Sequence, residues 1–467
     1  MTIVKKIKRK RKRIKRTFSI IKKSNLDVLN KIFRILSWLL PGLVLKRWIV
    51  TSAIGLITSL LGIAIWTNLR PLYWLIETFF WLMTGLTSIF PVSILGPFIL
   101  FIGLLLICLG QNRSINSIQK ALVPQKETLL VDALRVNSKL SRGPNIVAIG
   151  GGTGLSTLLK GLKNYSSNIS AIVTVTDDGG SSGILRKQLG VQPPGDIRNC
   201  LAALSNEEPT LTRLFQYRFS GGGGLEGHSF GNLFLSALTT ITGSLEKAVQ
   251  ASSQVLSVQG QVIPATGIDV MLWAELEDGE KIFGESLIGK SVKPISRIGC
   301  LPENPPALKN AIEAIKEADL IVLGPGSLYT SLLPNLLVPE IVEELLKNNS
   351  PKIYISNLMT QPGETDGLDV YQHIKSIEKQ LFNFGVNTRI FNAILSQGEF
   401  EGSSLIDYYR SRGAEPVICN KKRLVSEGYH VLQAPLYSKR ITPTLRHDYR
   451  RLARAVMYLY KKIKKAN

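Results

Sequence analysis

The residues best suited to chemistry lie in six glycine-rich turns, each following or flanking a short apolar run. The first is Ile146-Val147-Ala148-Ile149-Gly150-Gly151-Gly152-Thr153-Gly154-Leu155. Glycine has no Cβ, so backbone N–H groups in such a turn can approach a phosphate. A helix starting there adds the positive end of its dipole. Gly150, Gly151, Gly152, Thr153 and Gly154 are therefore candidate phosphate-binding residues. Two familiar fingerprints fail. GxGxxG would need a third glycine where Thr157 stands, and no Gly-Lys-Ser/Thr follows as in a Walker A loop. The competing reading is a purely structural turn from strand to helix. Gly324-Pro325-Gly326-Ser327 follows the apolar run 320–323 and repeats the same logic, which adds Gly324, Gly326 and Ser327.

Carboxylates and amides occupy the other turns. In Thr176-Asp177-Asp178-Gly179-Gly180-Ser181-Ser182-Gly183, the adjacent Asp177 and Asp178 could bind a ribose hydroxyl or a hard cation such as Mg²⁺. A turn with a helix cap would explain them as well. Asp196, in Pro193-Pro194-Gly195-Asp196-Ile197-Arg198-Asn199, is either a helix N-cap or a ligand residue. Gly227-His228-Ser229-Phe230-Gly231-Asn232 contributes Asn232, whereas His228 lacks a partner that would make it a general base. The last turn, Ser356-Asn357-Leu358-Met359-Thr360-Gln361-Pro362-Gly363-Glu364-Thr365-Asp366-Gly367, is expected on the same sheet edge.

These turns need strands to carry them. β-Branched runs at 145–149, 171–176, 320–323, 352–356, 389–394 and 415–418 alternate with helical patterns such as Leu155, Leu158, Leu159 and Leu162. The alternation predicts an α/β fold, a Rossmann-like, mainly parallel sheet with helices on both faces. Residues 270–288 differ, with two strand-like runs around Asp278-Gly279 that read as a hairpin.

The chain has 467 residues and a net charge of +23, which suggests nucleic acid until it is mapped. Residues 1–48 carry +15 and residues 446–467 carry +7, leaving +1 for 113–445. The body is near neutral, so a nucleic-acid partner is not expected. Four dispersed cysteines without a CxxC pair exclude a zinc ribbon and a disulfide scaffold and suit a reducing compartment. Residues 48–69 and 78–112 contain no charge. They predict two transmembrane helices, at 48–69 and 92–110, joined by an aromatic connection at 71–90. The positive-inside rule then holds the body at the inner face of the plasma membrane. The expected divisions are a basic tail (1–47), a membrane anchor (48–112), a linker helix (113–143), the Rossmann-type domain (144–458) and a basic C-terminal tail (459–467).

With these motifs assembled, residues 144–458 resemble the YvcK-type gluconeogenesis factors, relatives of the CofD-type 2-phospho-lactate transferases. The strings 149–155, 173–183, 193–199, 324–335 and 359–367 carry the resemblance. It implies a Rossmann-like domain that binds a nucleotide sugar such as UDP-N-acetylglucosamine, with a role in cell shape and wall synthesis on gluconeogenic carbon. Tyr409 and Arg446 also match. An aromatic ring can stack on a base and an arginine can hold a diphosphate. The alternative implied is a metal-dependent transferase of a phosphoester-linked group, with Mg²⁺ on Asp177 and Asp178. Partners in cell-wall synthesis or regulation, and a homo-oligomeric state, are compatible with either reading. The basic and apolar N-terminus has no counterpart in soluble members of that family.

Overall fold

The structure, a computed structural model, describes residues 44–66, 70–89, 91, 93–94, 96–106, 109–110, 138–206, 209–291, 293–400, 404–438 and 445–466. The linker expected at 113–143 and the basic tail at 1–47 lie almost wholly outside these residues. The chain divides into two compact units, Met1–Ser138 and Lys139–Asn467.

In the first unit, helices run over Val44–Trp66 and Arg70–Ile89. Among the described residues no helix is long and apolar enough to cross a membrane. The two spans expected at 48–69 and 92–110 are therefore not found there. The aromatic stretch 71–90, read as a connection, lies instead in a helix that opens at Arg70 and contains Glu77. Their described apolar side chains, among them Ile54, Leu60, Trp74 and Phe79, are exposed.

Among the described residues the second unit has ten strands: β1 (Ile146–Gly150), β2 (Ile169–Val173), β3 (Gln261–Pro264), β4 (Met271–Leu276), β5 (Lys281–Phe283), β6 (Ile295–Leu301), β7 (Leu320–Leu323), β8 (Lys352–Ile355), β9 (Ala393–Gln397) and β10 (His430–Ala434). Seven form one parallel sheet in the order β10-β9-β8-β7-β1-β2-β3. β1 lies parallel to β2, with Ile146 opposite Ile169, and parallel to β7, with Ile146 opposite Leu320. β4, β5 and β6 make a separate antiparallel sheet that contains the hairpin expected around Asp278-Gly279.

Both faces of the large sheet are covered, which is why its central strands read as continuous apolar runs. Ile146 and Ala148 face one core, with the helices Gly152–Leu162, Gly195–Leu204 and Tyr449–Ala466. Val147 and Ile149 face the other, with the helices Lys309–Lys316, Pro339–Lys347 and Val370–Phe382. Leu155, Leu158, Leu159 and Leu162 are all buried, as their spacing predicts.

Some boundaries differ. The strand expected at 389–394 lies at Ala393–Gln397. Residues 415–418 form no strand, only a bridge between Pro416 and Met359. Their place at the sheet edge is taken by β10, whose residues are mostly only partly covered and so leave a weak apolar signal. Residues 459–467 are no separate tail: the last helix runs to Ala466 and buries Leu459, Tyr460 and Ile463.

Candidate functional site

The strand order reverses between β1 and β7: the chain leaves β1 toward β2 and β3, and from β7 it runs outward to β10. Open α/β sheets bind ligands at the carboxyl ends of the strands flanking such a switch point. The turns 150–154 and 324–327 occupy those two ends. They touch: a Cβ on Gly154 would fall on the carbonyl oxygen of Pro325, so only glycine permits this approach. The Gly324 N–H donates to Ile149 O at 3.0 Å.

Beside the paired turns lies a cleft of about 260 Å³. Thr153, Gly154, Gly326, Ser327, Tyr409 and Arg446 line it, together with Thr157, Asn357, Gln361 and His447. Six residues named from sequence thus meet in one place, although Arg446 stands 292 positions after Gly154. Gly150, Gly151, Gly152 and Gly324 shape the turns without lining the cleft. Gly152 has φ +64°, a left-handed conformation that suits glycine at the start of its helix. A larger hollow, about 520 Å³, lies at the amino ends of β1, β2 and β3, and none of the named residues lines it.

Polar side chains brace the cleft from below. Gln361 Nε2 donates to Ser327 Oγ at 2.7 Å, and the Gly326 N–H donates to Asn357 Oδ1 at 3.3 Å. Asn357 and Gln361 went unassigned in the sequence because an Asn or Gln in a loop carries no distinguishing spacing. Tyr409 Oη accepts from the Leu445 N–H at 3.1 Å. The Ser438 N–H donates to Arg446 O, and the Asp448 N–H to Leu436 O. Residues 445–448 are thereby pinned where Arg446 and His447 border the cleft.

The carboxylates form a second group. Asp196 does not cap its own helix, which begins at Gly195 without a side-chain cap. Its carboxyl instead accepts from the Gly152 N–H, one of the donors that sequence reading offers to a phosphate. Burial first, and Asp177 second, push Asp196 up to about 6. Glu285 is pushed up to about 8, first by burial and then by Asp177, Asp196, Asp178 and Glu364. Burial raises Glu364 to about 7, offset by hydrogen bonds from the Tyr329 backbone and the Thr330 side chain. Glu285 stands outside every glycine motif and Glu364 lies in the last one without a distinguishing spacing; only the fold gathers them. Asp178 Oδ1 accepts from the Ser286 N–H at 2.7 Å, and Asp177 Oδ1 from the Gly179 N–H at 3.0 Å. Among the described residues no group of three His, Cys, Asp or Glu is arranged to hold a metal ion. The mutual repulsion of these carboxylates is nevertheless what a cation would relieve.

Asn232 is buried away from the cleft and donates to Ser181 Oγ at 3.1 Å. His228, expected to stand alone, lies 3.0 Å from the same hydroxyl through Nδ1. The fold brings the pair together across 47 positions, and both residues are buried.

An open, mainly parallel α/β sheet with a glycine-walled cleft at its switch point defines a Rossmann-like protein. The chain belongs to the CofD family, whose model, 2-phospho-L-lactate transferase CofD, matches residues 146–437, and within it to the YvcK-type gluconeogenesis factors. It is 50% identical over 423 residues to a putative gluconeogenesis factor of Nostoc, covering 91% of this chain and 92% of that one. It is 45% identical over 322 residues to the gluconeogenesis factor of Bacillus subtilis, covering 69% of this chain and all of that one. A crystal structure of a Bacillus halodurans protein aligns with TM-score 0.64 at 44% identity, over 68% of this chain and 99% of that one. The Nostoc match is too long for residues 139–467 alone to supply, so it extends into the N-terminal unit.

Proposed function

We propose that the cleft binds a nucleotide sugar, a UDP-sugar such as UDP-N-acetylglucosamine. On this reading the chain acts as a ligand-binding gluconeogenesis factor in cell shape and wall homeostasis on gluconeogenic carbon. The supporting observation is the meeting of Thr153, Gly154, Gly326, Ser327, Tyr409 and Arg446 around one cleft. Each would have a separate task. The Thr153 and Ser327 hydroxyls and the turn backbone suit phosphate oxygens, and the Arg446 guanidinium would supply a bidentate charged donor. The Tyr409 ring would cover the base, its hydroxyl already engaged by Leu445. Calorimetric titration of the full chain with UDP-N-acetylglucosamine, UDP, GDP and ATP tests the reading. Saturable binding preferring the uridine ligands is expected. Binding of none of them would overturn it.

The family model's name and the carboxylates beside the cleft favour a second reading, a metal-dependent transferase of a phosphoester-linked group. Asp177 and Asp178 would hold Mg²⁺, which would neutralise phosphate charge. Product formed from a phosphoester donor only when Mg²⁺ is present would select it.

We also infer that the N-terminal unit contacts the cytoplasmic face of the plasma membrane. Exposed apolar side chains on both its helices and ten Lys/Arg within residues 5–16 support this. Wall-synthesis or regulatory proteins at that face are the partners this reading suggests.

A further inference from the structure

Ser327 stands at the N-cap of the buried helical turn Leu328–Leu332, where a serine oxygen ordinarily turns back to cap the free N–H groups of the turn. No such cap forms. The backbone is fixed all the same, because the N–H groups of Ser331 and Leu332 both donate to Ser327 O. The hydroxyl has a different partner: Gln361 Nε2 donates to Ser327 Oγ at 2.7 Å. Among the described residues the Ser327 side chain makes no other hydrogen bond. Gln361 is in turn held by Asn357, whose Nδ2 donates to Gln361 Oε1 at 3.4 Å, while Asn357 Oδ1 accepts from the Gly326 N–H at 3.3 Å. Ser327, Asn357 and Gln361 all line the cleft and keep accessible surface, and the bond between Gln361 and Ser327 is only partly buried.

The direction of this chain of bonds is set at one end. A backbone N–H can only donate, so Gly326 requires the oxygen of Asn357. That turns the Asn357 amide nitrogen to Gln361, which answers with its oxygen and presents its own nitrogen to Ser327. Ser327 Oγ therefore accepts from Gln361, and the hydroxyl proton stays free. We propose that Gln361 is a positioning residue of the cleft: by engaging Ser327 Oγ as an acceptor, it holds the hydroxyl as a donor for a phosphate oxygen of the ligand. This deepens the nucleotide-sugar reading and rests on it. A second lone pair remains on Ser327 Oγ, but using it for a ligand donor would leave the proton unpartnered once the ligand covers it, which costs free energy. An ionised phosphate oxygen only accepts, so it suits the hydroxyl and the Arg446 guanidinium alike.

The test is calorimetric titration of the full chain with UDP-N-acetylglucosamine and with inorganic pyrophosphate, in the wild type, Ser327→Ala, Gln361→Met and the double variant. Ser327→Ala removes the donor and should weaken both ligands about ten- to a hundredfold. Gln361→Met keeps the length of the side chain without its polar end and should weaken them about three- to tenfold. The double variant should bind no more weakly than Ser327→Ala, since Gln361 acts only through that hydroxyl. A Gln361 that merely supports the loop would add its full effect to that of Ser327→Ala. Such additivity, or unchanged affinity in Gln361→Met, would overturn the proposal. Asn357→Leu, which unfastens Gln361, should weaken both ligands as well and decides the matter if Gln361→Met does not fold; unchanged affinity there would overturn the proposal too. Pyrophosphate separates this proposal from the reading beneath it. A wild type that binds pyrophosphate but no uridine ligand overturns the nucleotide-sugar reading, and the pyrophosphate affinities of the variants then decide the role of Gln361. A wild type that binds neither overturns both.

Discussion

Three acids at the carboxyl edge of the sheet, Asp196, Glu285 and Glu364, keep their protons to about 6, 8 and 7, mainly because of burial. A carboxyl whose folded pKa is raised contributes stability that is complete below its unfolded value and is lost as pH rises through the folded one. His373 and His447, both pushed down to about 4 by burial, act in the opposite sense and cost stability as pH falls below their unfolded value. Above about pH 6.5 only the acids of these two sets still titrate, so the melting temperature should decline from there to about pH 8.5. Glu364→Gln should make that decline shallower, since Glu364 Oε2 is buried without a partner. An equally steep decline in the variant would count against this account. Arg446→Ala should weaken ligand binding by about 1.5–3 kcal/mol, the range for a hydrogen bond to a charged group, with the fold intact. Calorimetry on the variant measures it. Individual side chains were only partly legible in the sequence. Glycine turns announce themselves, because few residue types tolerate such backbone. What Asp196 grasps, or that Glu285 belongs with Asp177, depends on contacts across the chain, more than a hundred residues apart for the latter, and no local pattern encodes them.

The helix Gly152–Leu162 connects the cleft to the rest of the fold. It begins in the glycine turn and packs along the final helix, Tyr449–Ala466, so closely that a Cβ on Gly161 would fall on the Tyr449 carbonyl oxygen. Gly161→Ala should therefore push the helices apart and destabilise the chain by about 1–3 kcal/mol, the usual cost of overpacking. Chemical denaturation would show it, and unchanged stability would mean that the two helices part without strain. Elements with strong periodicity were legible. The leucine stripe of this helix and the runs of β1, β7 and β8 are buried on covered faces, where hydrophobicity alone marks them. β3 and β10 border the sheet and give little signal, β3 because Gln261 and Pro264 leave only two apolar strand formers between them and β10 because it is mostly only partly covered, while 415–418 has strand-like residues but makes only one bridge.

Charge and hydropathy divide the chain unevenly: a neutral body, a basic and apolar beginning, and a basic final helix. Membrane fractionation of cells expressing the full chain should recover it with the membranes, and removal of residues 1–138 should release the remainder. Full-length protein in the soluble fraction would refute the membrane contact. The apolar runs were legible as composition, but where the helices begin and end was not. Val44–Trp66 takes in Lys46 and Arg47, and Arg70–Ile89 takes in Arg70 and Glu77, because a helix continues through charges when nothing in the backbone stops it.

The cleft closes only with Arg446 and His447, and its supporting helix rests on the last eighteen residues of the fold. A nascent chain emerges from the ribosome N-terminus first. The basic and apolar beginning is thus free to find its location long before the final helix has been made. Only when synthesis is nearly complete can residues 445–448 dock against 436–438 and complete the cleft. On the membrane-contact and ligand-binding readings proposed above, delivery precedes competence: a truncated or stalled product would reach the membrane but could not hold a ligand in the cleft.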